Sequence, residues 1–251
     1  MRRYGNLREW PSSANPSGAA PAGGNADPIA SAFLVIAAYR EASQIGAVVR
    51  SVMSAHLRVI VVDDGSDDAT ATEAAAAGAT VLRHVINRGQ GAALQTGIRY
   101  ALARGARYVV TFDADGQHRV EDVSKLLEPL VRGESDVTLG SRFLQPNEIP
   151  AFRRLILRAG VLFTRLVSGI HVTDTHNGLR GLSRRAAEAL DIRLDGMAHA
   201  SEILDQIARK GLRYVEVPVE IRYTDYSRRK GQRSLGAFRI AWDFLLGRWL
   251  R

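Results

Sequence analysis

Asp113 and Asp115 stand two residues apart at the end of an apolar run, Tyr108-Val-Val-Thr-Phe-Asp113-Ala114-Asp115-Gly-Gln117-His118. The run is rich in β-branched and aromatic residues and reads as a buried strand. Two carboxylates this close repel each other, so the pair asks for a cation. Oxygen donors alone suit Mg2+ or Mn2+ rather than Zn2+. Taken by itself, the same spacing also describes a polar turn in which Asp113 caps a helix.

Other polar groups recur where apolar runs stop. Ala38-Tyr39-Arg40-Glu41 follows a first run, and Asp63-Asp64-Gly65-Ser66-Asp67-Asp68 follows a second. A carboxylate there can accept hydrogen bonds from a base N–H or from ribose hydroxyls. Asp63 and Asp64 are the better placed for a ligand, whereas Ser66, Asp67 and Asp68 suit a helix N-terminus. Asn87-Arg88-Gly89-Gln90-Gly91 is glycine-rich but has Leu94 where a dinucleotide fingerprint has its third glycine, and it lacks the Gly-Lys-Ser/Thr of a P-loop. It reads either as a phosphate loop or as a tight turn into a helix. Asp174-Thr-His176-Asn177-Gly178-Leu-Arg180-Gly181 supplies an acid, a turn and an arginine. His118, His171, His176 and His199 show no metal-ligand spacing and read as surface or packing residues, with His118 and His176 the two that could instead line the site.

These groups need a frame that brings strand ends together. Strands are predicted at Ala32–Ala38, Arg58–Val62, Thr80–Arg83 and 107–113. Helices are predicted between them at Glu41–Ala55, Asp67–Ala77 and Ala92–Arg104. Continuous apolar strands alternating with helices predict an α/β fold, a parallel sheet covered on both faces. Ligands of such sheets bind at the carboxyl ends of the strands. Further on, the pattern predicts a helix at Val120–Val131, a strand at Asp136–Leu139 and an amphipathic helix at Phe152–Val167. A helix at His199–Lys210 and a strand at Tyr214–Val217 follow.

At 251 residues and 46% hydrophobic, the chain can bury a full core in one domain. It has no cysteine, which excludes a disulfide framework and a thiolate metal site. No apolar run approaches the ~20 residues that span a bilayer, and no secretory signal is expected. Residues 1–30, rich in Pro, Gly, Ala, Ser and Asn, read as a disordered tail, with residues 31–226 as the folded domain. Of the net charge of +8, +6 lies in residues 222–251, which suggests an anionic partner. Within the last segment, 227–251, Leu235, Phe238, Trp242, Leu245, Leu246 and Trp249 mark a basic amphipathic helix. It suits a membrane surface or a partner such as a small membrane protein.

In their order and spacing these motifs resemble the GT-A-type family 2 inverting glycosyltransferases, over about Phe33 to Tyr226. Asp-Ala-Asp-Gly-Gln-His, Gly140-Ser141-Arg142-Phe143 and Asp-x-x-x-Gly-x-Arg are most similar to the polyprenyl-phosphate sugar transferases. The resemblance implies a GT-A (Rossmann-like) fold and a nucleotide-sugar donor, UDP- or GDP-linked. It implies Mg2+ or Mn2+ on Asp113, Asp115 and Gln117. On the donor side it places Ala38, Tyr39, Glu41, Asp63, Arg88, Gly91, Asp113, Ala114 and Asp115. On the acceptor-phosphate side it places Arg142, Arg154, Arg158, Arg180 and Arg222, and it makes Asp115, Arg142 and Asp174 the catalytic candidates. Two departures stand out. The first motif has Arg40 where the family often has Asn, and the Gln-x-x-Arg-Trp of processive synthases is absent, which favours a single transfer.

A sugar hydroxyl acceptor would need a general base, for which Asp174 or Glu202 are candidates. A polyprenyl phosphate, already an oxyanion at neutral pH, would need cations instead. The chain is rich in arginine, so the lipid phosphate is favoured, with the enzyme working in the cytoplasm at the inner face of the cell membrane. Transfer to a sugar hydroxyl, nucleotidyl transfer and nucleic-acid binding are the competing readings. The last is disfavoured because acidic strand ends repel a polyanion. A homo-oligomer stays open.

Overall fold

A computed structural model describes residues 31–145, 160–162, 164–194 and 198–222. The expected tail 1–30, the start of the helix at Phe152, Arg154, Arg158 and the amphipathic segment 227–251 lie outside the described residues. Among the described residues no helix is long and apolar enough to cross a membrane.

The elements in chain order are β1 (Ala32–Ala38), α1 (Ala42–Met53), β2 (Arg58–Asp63), α2 (Thr70–Ala76), β3 (Thr80–Arg83), α3 (Gln90–Ala103), β4 (Tyr108–Asp113), α4 (Glu121–Val131), β5 (Val137–Ser141), β6 (Arg180–Ser183), α5 (Arg184–Ala189), α6 (His199–Arg209) and β7 (Tyr214–Pro218). The seven strands form one sheet in the order β3-β2-β1-β4-β6-β5-β7. Strands β3, β2, β1 and β4 are mutually parallel, and β5 is parallel to β7.

The continuous apolar strands are explained by burial on both faces. Leu34 and Ile36 of β1 face one layer with α1, α2 and α4, through Ile45, Val49, Ala74, Leu126 and Leu130. Phe33 and Val35 face the other with α3, α5 and α6, through Leu94, Ile98, Ala187, Ile203 and Ile207. Both layers are core, so the hydrophobic contribution is spread through the sheet rather than concentrated at one face.

One element departs from the expected pattern. Residues 180–183, for which the sequence predicted no strand, form β6, which runs antiparallel between β4 and β5. A four-residue strand containing an arginine and a glycine carries no apolar alternation to announce it. Pairing on both sides makes it a strand.

A second departure concerns α2, which starts at Thr70 rather than Asp67. None of the three expected residues is its N-cap, which is Ala69, but Asp68 just before it accepts the Thr70 N–H at 3.0 Å. Ser66 accepts the N–H of Arg40 at 3.0 Å instead, and Asp67 takes both arms of the Arg40 guanidinium at 2.7 Å. The loops after β1 and β2 are neighbours, so each satisfies the other's donors.

Candidate active site

Strand register gathers the site. Ala38 pairs with Asp63, and Ala37 pairs with Asp113. The carboxyl ends of β2, β1 and β4 therefore lie in one row. Strand β6, running the other way, brings its leading residues to the same edge, because Thr111 pairs with Arg180 and its hydroxyl donates to Gly178 O at 2.6 Å.

Asp113 ends β4 with its side chain 31% exposed. Gln90, the first residue of α3, donates to Oδ1 at 3.2 Å, and His118 Nε2 lies 2.9 Å from Oδ2. Burial opposes ionisation of Asp113, but His118, Arg180 and His199 outweigh it and hold the carboxyl below its usual range. Asp115 goes the other way: burial and the charge of Asp113 push it up. Its Oδ1 accepts the Gln117 N–H at 3.1 Å, and the Gln117 side-chain amide donates to Oδ2. His118, one of the two histidines considered for the site, touches Asp113 and packs edge-on to Phe112 at 5.3 Å. Its place in the run Asp-Ala-Asp-Gly-Gln-His was the available signal.

The donor set fits a divalent cation. Among the described residues no three His, Cys, Asp or Glu side chains come together to hold a metal ion, so the two carboxylates would rely on Gln117 and on ligands from outside the protein. Two carboxylates and a carboxamide oxygen are hard donors, and their small number matches Mg2+ or Mn2+ completed by water and substrate phosphates.

On the β1–β2 side, Ala38 and Glu41 are buried and Tyr39 is exposed beneath the Arg40 guanidinium, 5.2 Å from its ring centroid. Arg40 has φ 55°, the left-handed region that Asn tolerates best among non-glycine residues. The paired Asp67 holds Arg40 in that turn. Asp63 is wholly buried. Its Oδ1 accepts the Ser66 N–H at 3.1 Å, while Oδ2 faces Arg83 Nε at 3.1 Å but accepts no hydrogen bond among the described residues.

Asp64 was expected to face a ligand, and the structure corrects this. It accepts the N–H groups of Arg88 at 3.0 Å and Gly89 at 2.6 Å, and it lies 2.7 Å from His84 Nδ1. Two amides of the glycine-rich loop are thus already spent on a protein carboxylate. Gly91 serves packing: a Cβ there would stand 2.1 Å from Leu194 O and 2.8 Å from His199 Cβ. Arg88 is exposed and lines a cleft with Gln95, Arg99 and Arg193 on the outer side of α3.

Beyond β6 the site is basic and buried. Arg142 follows β5 and is held by Asp174, whose Oδ2 accepts from its Nε at 2.6 Å and its N–H at 3.2 Å. Arg142 Nη2 donates to His176 O at 3.1 Å. Asp174 Oδ1 accepts the His176 N–H at 3.3 Å. Burial pushes the His176 imidazolium down, and its Nδ1 lies 2.7 Å from the Thr175 hydroxyl. Arg180 is buried between opposite charges. Burial lowers its pKa while Asp113 and Asp174 raise it, and its Nη1 has no hydrogen-bond partner among the described residues. Arg142, Asp174, Arg180 and Asp113 form a row of alternating charge. Arg222 is exposed, its N–H bonded to Gln117 O at 2.9 Å. Glu202, a candidate base, instead accepts the N–H groups of Arg193 and Leu194 at 3.1 and 2.7 Å.

A mostly parallel sheet carrying an Asp-x-Asp at its carboxyl edge, with one antiparallel strand inserted beside it, is the GT-A arrangement of glycosyltransferases. The chain belongs to glycosyl transferase family 2, whose profile matches residues 33–191. It is 31% identical to the UDP-N-acetylglucosamine–dolichyl-phosphate N-acetylglucosaminyltransferase of Methanococcus voltae, over 85% of this chain and 94% of that one. It is 35% identical to the undecaprenyl-phosphate mannosyltransferase of Micrococcus luteus, over 64% of this chain and 70% of that one. The fold matches glucosyl-3-phosphoglycerate synthase of Mycobacterium tuberculosis, solved with Mn2+, UDP-glucose and phosphoglyceric acid. The TM-score is 0.65 at 23% identity, over 88% of this chain and 83% of that one.

Proposed function

We propose that this glycosyltransferase moves one hexose from a UDP- or GDP-sugar to a polyprenyl phosphate with inversion, at the inner face of the cell membrane. The observation that carries the acceptor is the buried pair Arg142 and Arg180 beside the carboxylates of the donor side. The polyprenyl- and dolichyl-phosphate acceptors in the names of the relatives support the same reading.

Asp113, Asp115 and Gln117 would hold Mg2+ or Mn2+, which when bound neutralises charge on the departing nucleoside diphosphate. Asp63 would take a base N–H through Oδ2, the oxygen that faces Arg83 and accepts no hydrogen bond among the described residues. His118 and Gln90 keep the Asp113 carboxylate aimed. The acceptor phosphate attacks the anomeric carbon from the face opposite the leaving group and needs no proton removed. Asp174 is committed to Arg142 and the His176 N–H, so its part is to set the guanidinium that orients the phosphate.

The test is transfer from radiolabelled UDP- and GDP-sugars to polyprenyl phosphate with Mn2+ or Mg2+. Chelation should abolish transfer, and Asp113→Ala and Asp115→Ala should each lower it by at least ~100-fold. Undiminished turnover in both variants would sink the metal site. Transfer to soluble sugars but not to polyprenyl phosphate would sink the acceptor.

A further inference from the structure

The edge of the sheet that carries the site also carries exposed apolar side chains. Tyr39, Val85, Ile86 and Leu144 are all exposed, and they follow β1, β3 and β5 at the carboxyl edge. The extreme case is the loop between β3 and α3, where Val85 is 99% exposed and Ile86 67%. Two adjacent β-branched apolar residues in water lose the contribution that burial would give them.

The loop is built rather than loose. The His84 N–H donates to Asp63 O at 2.9 Å, and its ring bridges Asp64 at 2.7 Å and the Thr96 hydroxyl at 3.0 Å. On the far side Asp64 takes the N–H groups of Arg88 and Gly89. Val85 and Ile86 are thus held outward between two anchored ends. Arg83 and Arg88 flank the pair and are both exposed; Arg83 is tied on its inner side to the Asp63 carboxylate at 3.1 Å and to Ser66 O at 2.7 Å, so Arg88 carries most of the local positive charge. An apolar tip with an exposed guanidinium beside it matches the boundary between headgroups and acyl chains of an anionic bilayer.

We propose that Val85 and Ile86 form a contact through which the carboxyl edge of the sheet, and the active site with it, seats on an anionic lipid surface. The choice of lipid over a protein partner rests on the polyprenyl-phosphate reading above, since an acceptor anchored in a bilayer is reached from its surface.

The chain has no cysteine, so single labels report cleanly. Val85→Cys and Ile86→Cys would each carry an environment-sensitive fluorophore in the full chain, with Val131→Cys, exposed at the end of α4 on the opposite edge, as the control. Vesicles of phosphatidylcholine containing about a third phosphatidylglycerol are added without donor or acceptor. The expected result is a blue-shifted, brighter emission at 85 and 86, none at 131, and a weaker response on phosphatidylcholine alone. In co-sedimentation, the Val85→Ser/Ile86→Ser double variant should partition roughly tenfold less or worse. The proposal is overturned if the protein sediments while labels 85 and 86 stay in water, if it does not bind vesicles, or if the double variant binds equally. It is also overturned if the labels are already in an apolar setting before vesicles are added, which would mean another part of the chain or a second copy covers them. Because no acceptor is present, these outcomes are independent of the transfer assay that tests the proposed function.

Discussion

A Cβ atom on Gly178 would stand 2.3 Å from Oδ2 and 2.4 Å from Oδ1 of Asp113. The backbone entering β6 is therefore the wall on which the first carboxylate of the Asp-x-Asp rests. Only glycine leaves that wall flat. Gly178→Ala should displace the Asp113 carboxylate by about 1 Å and lower transfer about 100-fold. Mn2+ binding, followed by electron paramagnetic resonance, should weaken in parallel. Normal activity in this variant would show that Asp113 has room to spare.

The contact between Arg142 and Asp174 gives a prediction that separates donor from acceptor. Arg142→Lys keeps the charge but cannot span both Asp174 and His176 O. KM for polyprenyl phosphate should rise about tenfold while KM for the nucleotide sugar holds, which steady-state kinetics with each substrate varied will read. The opposite split would move Arg142 to the donor.

Asp174→Ala strips a buried partner from Arg142, and Arg180 loses a neighbouring negative charge. Removing one member of a buried ion pair costs about 3–5 kcal/mol, so urea unfolding should show a large drop in stability. A residue acting only as a general base would cost turnover without that loss.

Gly91 is held against Leu194 O and His199, and its role should show as stability. Gly91→Ala overpacks the contact between the start of α3 and residue 194, at about 1–3 kcal/mol or more. Chemical denaturation measures it, and an unchanged midpoint would return Gly91 to the donor loop.

Asp136 supplies a pH dependence away from the site. Hydrogen bonds from the Arg213 side chain and N–H, aided by the charges of Arg213 and Arg185, outweigh burial and hold its carboxyl below the usual range. A carboxyl depressed in the folded state stabilises above its unfolded value, near 4, and that contribution is lost as pH falls through the folded value. Asp136→Asn should therefore be less stable than the parent at pH 7, and the two should converge as pH is lowered below about 4. Parallel unfolding curves at all pH values would remove Asp136 from the linkage.

Much of the first half was legible in the chain. Strand β1 was expected at Ala32–Ala38 and forms there, because a strand buried on both faces must be apolar throughout. The polar motifs were likewise readable as strand ends, since parallel topology sends every such end to one edge. Asp64 was misread because its partners, His84 and the Arg88 and Gly89 amides, lie 20 or more residues away. Local spacing does not reveal that both adjacent aspartates are buried against protein partners.

The amino-acid sequence by itself determined the alternation of strand and helix, the parallel half of the sheet and the place of the carboxylate pair Asp113 and Asp115 at a strand end, because these follow from periodicity and residue chemistry over short stretches. Only the tertiary structure decided that β6 enters antiparallel, that Gly178 abuts Asp113, and that Arg180 is buried near Asp113 and Asp174. The relations that reach β4 join residues 65 or more positions apart along the chain, as Thr111 and Gly178 are at 67. They arise from pairing and burial, which no short window of sequence contains.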